Sequence, residues 1–281
     1  PRPEAGGIGP ARLLAMRYTD PPVPPLVAQP NMAPHSGLHR NLDPLYKFKN
    51  KRLVKNLVRD LPLRTSALRT LGAYGNVFAI ESFMDELADA AQIDPVKFRL
   101  DHLIDYRAKA VLKMAAEKLG WKNRKSVENH GKGVAFAQYK NKQAYAAVAV
   151  DLEVNDKAEV KLKRVVIVGD AGQVVDKDGL TAQFEGGFLQ AASWTLYEAV
   201  TYDQNGITSR DWESYPILRF DNIPEIETIL IDRADEPFLG AGEAIAGPTA
   251  GAIANAIKKT IGIRLRRLPF TPDTIRMAAA G

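Results

Sequence analysis

Apolar residues recur every three or four positions over residues 76–91, a spacing typical of an amphipathic helix. The residues predicted on its buried face are Val77, Ile80, Phe83, Met84, Leu87 and Ala91. Asp94 followed by Pro95 predicts a capped start for a second helix, because proline is favoured at the first helical position. A third helix is expected over residues 107–120, ended by Gly120. Three helices in series indicate one structural unit.

Beyond residues 121–130 the pattern changes to strand-like alternation. Residues 143–154 and 158–170 alternate around the turn residues Asn155–Lys157, which predicts a β-hairpin. A long buried helix is expected over residues 179–200, and strands are expected at 225–232 and 262–270. Two more strand-like segments, YKFKN and RLVKNLV, fall at residues 46–50 and 52–58. The whole pattern predicts an α+β fold, a two-layer mixed α/β arrangement.

One acidic residue, Glu243, lies alone in a run rich in glycine and alanine, FLGAGEAIAGPTAGAIANAI. Gly240 and Gly242 before it suggest a tight turn, and Pro248 is expected at the first position of a helix ended by Gly262. Two interpretations stay open at this point. Glu243 is either a first-turn carboxylate steadied by the helix dipole or a group placed for chemistry.

Composition narrows the classes of protein. The 281 residues are 46% hydrophobic, enough for one or two domains, and no apolar run reaches the ~20 residues that span a bilayer. The absence of cysteine excludes disulfides, thiolate zinc sites, cysteine nucleophiles and iron–sulfur clusters held by this chain. His35 and His39 are four residues apart, but the intervening glycine argues against a helical metal site, and no metal ligand is predicted. We expect a soluble chain, cytoplasmic or periplasmic.

Two segments are unusual in composition. Residues 1–34 hold nine of the eighteen prolines, so we expect an extended arm that lies against another surface. The basic stretch at residues 46–59 fits a solvated surface better than a nucleic-acid site, because clustered lysines are common on ordinary surfaces. With a net charge of +5, nucleic acid is not an expected partner.

Several motifs in one order resemble the molybdenum-cofactor-binding large subunit of the xanthine oxidase and aldehyde oxidase family, most of all its isoquinoline oxidoreductase-like branch. The stretches that carry the resemblance lie at 68–99 (LRTLGAYGNVFAIESFMDELADAAQIDPVKFR), 165–190 (VVIVGDAGQVVDKDGLTAQFEGGFLQ), 214–227 (SYPILRFDNIPEIE), 240–257 (GAGEAIAGPTAGAIANAI) and 260–269 (TIGIRLRRLP). The resemblance covers about residues 60–270.

The resemblance implies hydroxylation of an electron-poor carbon, on an N-heterocycle or an aldehyde, with water as the oxygen source. In this family the glutamate of the Gly-Glu turn is the base that deprotonates a hydroxyl on molybdenum. Glu243 matches that position, and a carboxylate is a competent base when held within ~3 Å of the proton that it takes.

The resemblance also implies cofactor contacts. Arg69 matches the arginine of the segment on the substrate and cofactor side, and Gln183 matches a glutamine that hydrogen-bonds the pterin. Gly186 would permit close approach of the backbone, and the amide groups of Gly242 and Glu243 would contact the oxygen ligands of the metal. The cofactor is expected to be molybdopterin or its dinucleotide form.

The chain departs from the family pattern at Asp176–Lys177 and at Ala191, and it lacks the glycine-rich GGGFG and GQG segments that contact the pterin in relatives. It therefore resembles the C-terminal half of the subunit. We expect an arm and strands at 1–60, the helical part of a first cofactor-binding domain at 61–125, and a second molybdopterin-binding domain at 126–281.

The expected partners are chains that complete this half. They are the N-terminal half of the subunit, which shares the cofactor, an iron–sulfur subunit with [2Fe–2S] clusters, and a flavin (FAD) or cytochrome (haem) subunit. Two other hypotheses stay open, a catalytically silent interaction or assembly subunit of the same fold, and a basic binding module.

Overall fold

A four-stranded sheet forms the centre of the computed structural model, which describes residues 14–23, 33–56, 58, 63, 67–122 and 128–281. The strands are β1 (His130–Gln138), β2 (Tyr145–Val154), β3 (Val160–Asp170), β4 (Tyr202–Asp203), β5 (Gly206–Ile207) and β6 (Glu225–Leu230). The order in the central sheet is β1-β2-β3-β6, with β1, β2 and β3 antiparallel and β6 parallel to β3. Strands β4 and β5 form a separate small hairpin.

Helices precede and follow the antiparallel strands. They are α1 (Ala73–Ala90), α2 (Pro95–His102), α3 (Tyr106–Lys118), α4 (Lys177–Leu196), α5 (Ala246–Ile261) and α6 (Pro272–Ala279). Local signals set several of their ends. The Asp94 carboxylate accepts hydrogen bonds from two amides of the first turn of α2, as predicted, and Gly262 ends α5 with a left-handed φ of 77°.

The mixed α and β fold is confirmed, with the difference that helices cover both faces of the sheet. Val134, Val166 and Val168 face the side packed by α1, α2 and α3. Val148, Val165 and Ile167 face the side packed by α4 and α5. The predicted hairpin of β2 and β3 is also confirmed, and its alternating side chains divide between the two cores because successive strand residues point to opposite faces.

Helix α5 lies directly on the backbone of β1. A Cβ atom added to Gly133 would fall 2.1 Å from the carbonyl oxygen of Ala252, and one added to Gly131 would fall 2.3 Å from that of Ala256. Helix and strand therefore touch at distances that only glycine permits. This contact sets the depth of α5, and with it the position of the turn that carries Glu243.

The buried face of α1 differs from the prediction. Phe83 is exposed, whereas Glu81 and Asp85 are buried. Both carboxylates bind the fully buried guanidinium of Arg99, with Nε 2.8 Å from Glu81 and Nη1 2.6 Å from Asp85. Val77 and Met84 are buried as predicted, but Ala91 is exposed like Phe83, and the buried ion pairs with Arg99 occupy part of this face.

Four further expectations are wrong for the described residues. No strand forms over 46–50, over the described part of 52–58, or over 262–270. In the last segment Arg264 turns inward, where its Nη1 donates to the Asn255 Oδ1 atom at 2.9 Å. Helix α5 begins at Ala246, so Pro248 is its third residue.

Within the described ranges, no helix has the length and hydropathy needed to cross a membrane.

Candidate active site

Glu243 lies in the turn between β6 and α5, three residues before the helix begins. Its first carboxylate oxygen, Oε1, accepts a hydrogen bond from the backbone N–H of Thr70 at 2.6 Å. Its second oxygen, Oε2, accepts a short hydrogen bond from the Tyr139 hydroxyl and lies 3.5 Å from Nη1 of Arg40. The side chain is 33% exposed, so the carboxylate is held on both oxygens and still reaches solvent.

The backbone that presents the Thr70 amide is strained. Thr70 and Leu71 both adopt left-handed φ angles, 77° and 52°, which cost non-glycine residues free energy. The Thr70 side chain is buried, and within the part of the chain that the structure describes its Oγ1 atom has no hydrogen-bond partner. Strain of this kind persists where the surrounding structure enforces it, and here it directs an N–H at the carboxylate of Glu243.

Asn41 brings Arg40 and Tyr139 together. Its side-chain amide donates to the Gln138 carbonyl at 2.8 Å and accepts from the Lys140 N–H at 2.8 Å. These two bonds fasten the segment before α1 to the end of β1. Arg40 and Tyr139 are thereby placed side by side, and the guanidinium donates to the tyrosine hydroxyl.

The surroundings keep Glu243 ionised. Burial raises the pKa of its carboxyl group, but the hydrogen bonds from Tyr139 and Thr70 and the charges of Arg40 and Lys140 outweigh that effect, so the pKa lies below its ordinary value. The pKa of Tyr139 is raised, mainly by burial and then by the neighbouring Glu243 carboxylate. The proton therefore stays on the tyrosine, and the carboxylate stays charged.

Arg69 joins two of the residues singled out in the sequence, Gly242 and Gln183. Its Nε donates to the Gly242 carbonyl at 2.8 Å, and its Nη2 donates to the Gln183 Oε1 atom at 3.1 Å. Its Nη1 donates to Gln190 at 3.0 Å. Arg69 therefore fastens the turn of Glu243 to α4, and it leaves the amide nitrogen of Gln183 out of that contact.

The glycines of α4 differ in their surroundings. A Cβ atom on Gly187 would lie 3.3 Å from the Arg69 guanidinium, so this glycine serves packing. Gly186 is exposed and has no atom within 4 Å of that position. At Gly242 the nearest atom is the Gln183 Oε1, at 3.7 Å. Gly186 and Gly242 thus leave the backbone approachable, although neither Gly240 nor Gly242 has a left-handed φ.

Sequence reasoning therefore selected residues that the fold brings together, namely Arg69, Gln183, Gly242 and Glu243, with Gly186 on the same helix. It missed the ones that hold the carboxylate, namely Arg40, the Thr70 amide and Tyr139. Gln190 could have been found, because it lies two helical turns after Gln183 and shares its face. The first-turn interpretation of Glu243 is wrong, since the first turn of α5 contains no acidic residue.

A cavity of about 310 Å³ lies along α4 beyond Gln190. Its walls include Leu189, Ser193, Glu198, Ile217, Leu218, Arg219, Phe220 and Ile223. Phe220 is 94% exposed at its rim. Within the described ranges, no group of three or more histidine, cysteine, aspartate or glutamate side chains is arranged to hold a metal ion.

Two family matches identify the class of protein to which this chain belongs. Residues 76–224 match the family described as "Molybdopterin cofactor-binding domain", and residues 27–103 match a second family with the same description. The chain therefore belongs to the molybdopterin cofactor-binding domains, and it is part of a molybdenum-binding subunit of the xanthine oxidase family.

Individual relatives agree with this assignment. The chain is 38% identical over 253 residues to a nicotinate dehydrogenase subunit of Pseudomonas putida, covering 85% of this chain and 21% of that protein. It is 32% identical over 218 residues to the beta subunit of isoquinoline 1-oxidoreductase from Brevundimonas diminuta, covering 76% of this chain and 28% of that protein. The chain thus spans between a fifth and a third of the length of these two relatives.

The fold is shared with solved structures. Quinoline 2-oxidoreductase from Pseudomonas putida 86 superposes with a TM-score of 0.68 at 11% identity, covering 76% of this chain and 53% of that chain. Aldehyde oxidoreductase from Desulfovibrio gigas gives a TM-score of 0.65 at 14% identity, covering 76% and 42%. At such identities the likeness concerns the fold.

The residues present fit the group that this family binds. The exposed amide of Gln183 can donate and accept, as the edge of a pterin requires. Gly186 and Gly242 leave space where any side chain would reduce it. An arginine, an amide and open glycine backbone form a suitable donor set for a polar, phosphate-bearing cofactor.

Proposed function

We propose that this chain forms one side of the molybdenum-cofactor site of an oxidoreductase that hydroxylates an N-heterocycle or an aldehyde, with water as the oxygen source. Glu243 is the base in this proposal. One observation carries it, namely that an ionised, partly exposed carboxylate is held on both oxygens by fixed donors, next to Gln183, Gly242 and Arg69. When bound, the cofactor supplies the acceptor for the two electrons that leave the substrate.

The chain's own residues would divide the work. The Glu243 carboxylate takes a proton, for which a rigid and ionised acceptor is needed. The Gln183 amide and the backbone at Gly186 and Gly242 hold the cofactor, and Arg69 keeps the Gly242 turn against α4. The names of two sequence relatives support the substrate class, since nicotinate and isoquinoline are both N-heterocycles.

The departures from the family pattern have structural explanations. Asp176 caps α4 by accepting a hydrogen bond from the Gly179 N–H at 3.0 Å. Ala191 is completely buried. Neither residue forms a hydrogen bond or an ion pair with the Glu243 carboxylate or with Arg69.

We further propose that the chain works with companion chains. A companion corresponding to the rest of the subunit would complete the cofactor site, and an iron–sulfur subunit with [2Fe–2S] clusters would take the electrons, since this chain has no cysteine. A flavin or cytochrome subunit would accept them next. The apolar rim of the cavity on α4, with Phe220 and Ile217 exposed, is a surface that a companion could cover.

The substitution Glu243→Gln in the assembled complex tests the base. It keeps the shape of the side chain and removes the proton acceptor, so we expect kcat to fall at least ~100-fold with an unchanged molybdenum content. Glu227→Gln is the matched control, because Glu227 is 35% exposed, close to the 33% of Glu243, and binds the Arg164 guanidinium instead. Turnover close to the unmodified enzyme, with full molybdenum, would refute the role of Glu243. An unmodified complex that contains no molybdenum would support the silent-subunit hypothesis.

A further inference from the structure

The hydrogen bonds between Arg40, Tyr139 and Glu243 run in one direction. A guanidinium has donors and no acceptor, so in the contact of Arg40 with Tyr139 the tyrosine oxygen accepts. The proton of the Tyr139 hydroxyl is not used in that contact, and it points to Oε2 of Glu243. The backbone N–H of Thr70 is a donor, so Oε1 of Glu243 is the acceptor in their hydrogen bond. Every proton position in this group is thus determined, and both oxygens of Glu243 are acceptors.

Arg40 and Tyr139 are themselves held in place by other contacts. Arg40 Nε donates to the His35 carbonyl at 3.1 Å, and the Arg40 carbonyl accepts from the Asn76 side chain at 2.9 Å. Tyr139 is 5% exposed, and its own N–H donates to the Ala144 carbonyl at 3.0 Å. The guanidinium also lies 5.4 Å from the centre of the tyrosine ring, within cation–π range. The bond to His35 and the cation–π contact hold the Arg40 side chain, and the two backbone hydrogen bonds fix the segments that carry Arg40 and Tyr139.

We propose that Tyr139, oriented by Arg40, is a positioning residue that fixes the Glu243 carboxylate in one rotamer and stabilises its charged form. This inference rests on the proposed role of Glu243 as the base. Each carboxylate oxygen has two lone pairs, and Tyr139 and Thr70 use one on each, so acceptor capacity remains for a proton from the substrate side. Tyr139 donates its hydrogen bond throughout and does not give up its proton.

The proposal predicts how acid should affect the enzyme. The charged groups that face Glu243 are Arg40 and Lys140, and Arg69 binds the neighbouring Gly242 carbonyl. All three are cations and remain when Tyr139 is changed. Removing the tyrosine hydroxyl takes away one hydrogen bond to the charged form, so the pKa of Glu243 should rise. Activity that needs the ionised base should then be lost at a higher pH.

Tyr139→Phe in the assembled complex is the test, with Tyr145→Phe as the matched control. Tyr145 also donates to a carboxylate, that of Asp105 at 2.7 Å, but it does not touch Glu243. We expect the acid limb of the kcat/KM profile to move toward neutral pH in Tyr139→Phe, with an acid dissociation constant about tenfold smaller. The profile of Tyr145→Phe should be unchanged.

A second measurement does not depend on turnover. Infrared difference spectra between each protein and its Glu243→Gln derivative isolate the Glu243 carboxyl group. The protonated band should appear at a higher pH in Tyr139→Phe than in the unmodified protein and in Tyr145→Phe, because the pKa of Glu243 rises when the tyrosine hydroxyl is removed. Arg40→Gln, which removes the donor that orients Tyr139, should raise the pH at which the band appears as well.

The outcomes separate the two proposals. An unshifted acid limb, or a protonated Glu243 band that appears at the same pH in Tyr139→Phe, in Arg40→Gln and in the unmodified protein, would overturn the positioning role. If Glu243→Gln keeps its turnover while the infrared shift is seen, the base assignment fails and the positioning of the carboxylate stands. A shift of the same size in Tyr145→Phe would show a general loosening and would also overturn the inference.

Discussion

Replacing Gly133 by alanine should separate α5 from the sheet. The added Cβ atom would lie 2.1 Å from the Ala252 carbonyl oxygen and 2.3 Å from the Ala256 nitrogen. Ordinary contact begins at 3.4 Å, so the helix and strand must move apart by about 1.3 Å. Neither contact atom belongs to a flexible side chain, and both lie in helix backbone that cannot rotate away.

The expected cost is at the upper end of that for overpacked cores, ~3 kcal/mol. Urea unfolding followed by tryptophan fluorescence would measure it, with the midpoint lowered and the slope unchanged. Gly75→Ala is the matched control, because its Cβ has no atom within 4 Å and alanine favours a helix by ~1 kcal/mol. If Gly133→Ala is as stable as the unmodified protein, the close seating of α5 on β1 is not as described, and the reasoning fails.

Two further predictions concern the buried ion pairs. Arg99→Met should lower the unfolding free energy by ~3–5 kcal/mol, because it leaves the carboxylates of Glu81 and Asp85 buried without their cation. Lys97→Met, which removes the exposed pair with Asp101, is the control and should change the unfolding free energy by less than ~1 kcal/mol. Equal effects of the two substitutions would contradict the described network. Burial raises the pKa of Asp170, but the hydrogen bonds from Arg107 and Arg233 outweigh this and lower it, so its stabilisation is complete above the unfolded value of ~4 and is lost as pH falls through the lower folded value. Asp170→Asn should therefore destabilise the protein at neutral pH, and the difference in melting temperature should shrink below about pH 4; a constant difference at all pH values would be the contrary result.

Much of the secondary structure could be predicted because its signals are local. The carboxylate of Asp94 and the freedom of Gly262 act within one turn of the helix that each delimits. The failures have tertiary causes. Phe83 is apolar but exposed, whereas Glu81 and Asp85 are buried because both bind the guanidinium of Arg99 from the next helix. Arg264 gives segment 262–270 a role that its strand-like alternation does not reveal.

The candidate site shows the same division. Glu243 and Gln183 stand out through motifs within a few residues of each, and the fold places Arg69 against the turn that carries Glu243. Arg40 and Tyr139 have no such signal, since they are 99 residues apart and meet only in the folded chain. Their importance depends on which groups the folded chain brings to the same carboxylate. A single sequence does not contain that information in any short window.

The segment at residues 40–46 has a consequence for any shortened form of this protein. Arg40 and Asn41 come from it, and so does Tyr46, whose hydroxyl donates to the buried Glu81 at 2.7 Å. A chain trimmed to begin at Ala73 would keep every strand of the sheet and all six helices. It would remove the Thr70 amide and the Arg40 guanidinium from the Glu243 carboxylate, leaving Tyr139 as its remaining donor, and it would leave the buried Glu81 without the Tyr46 hydroxyl.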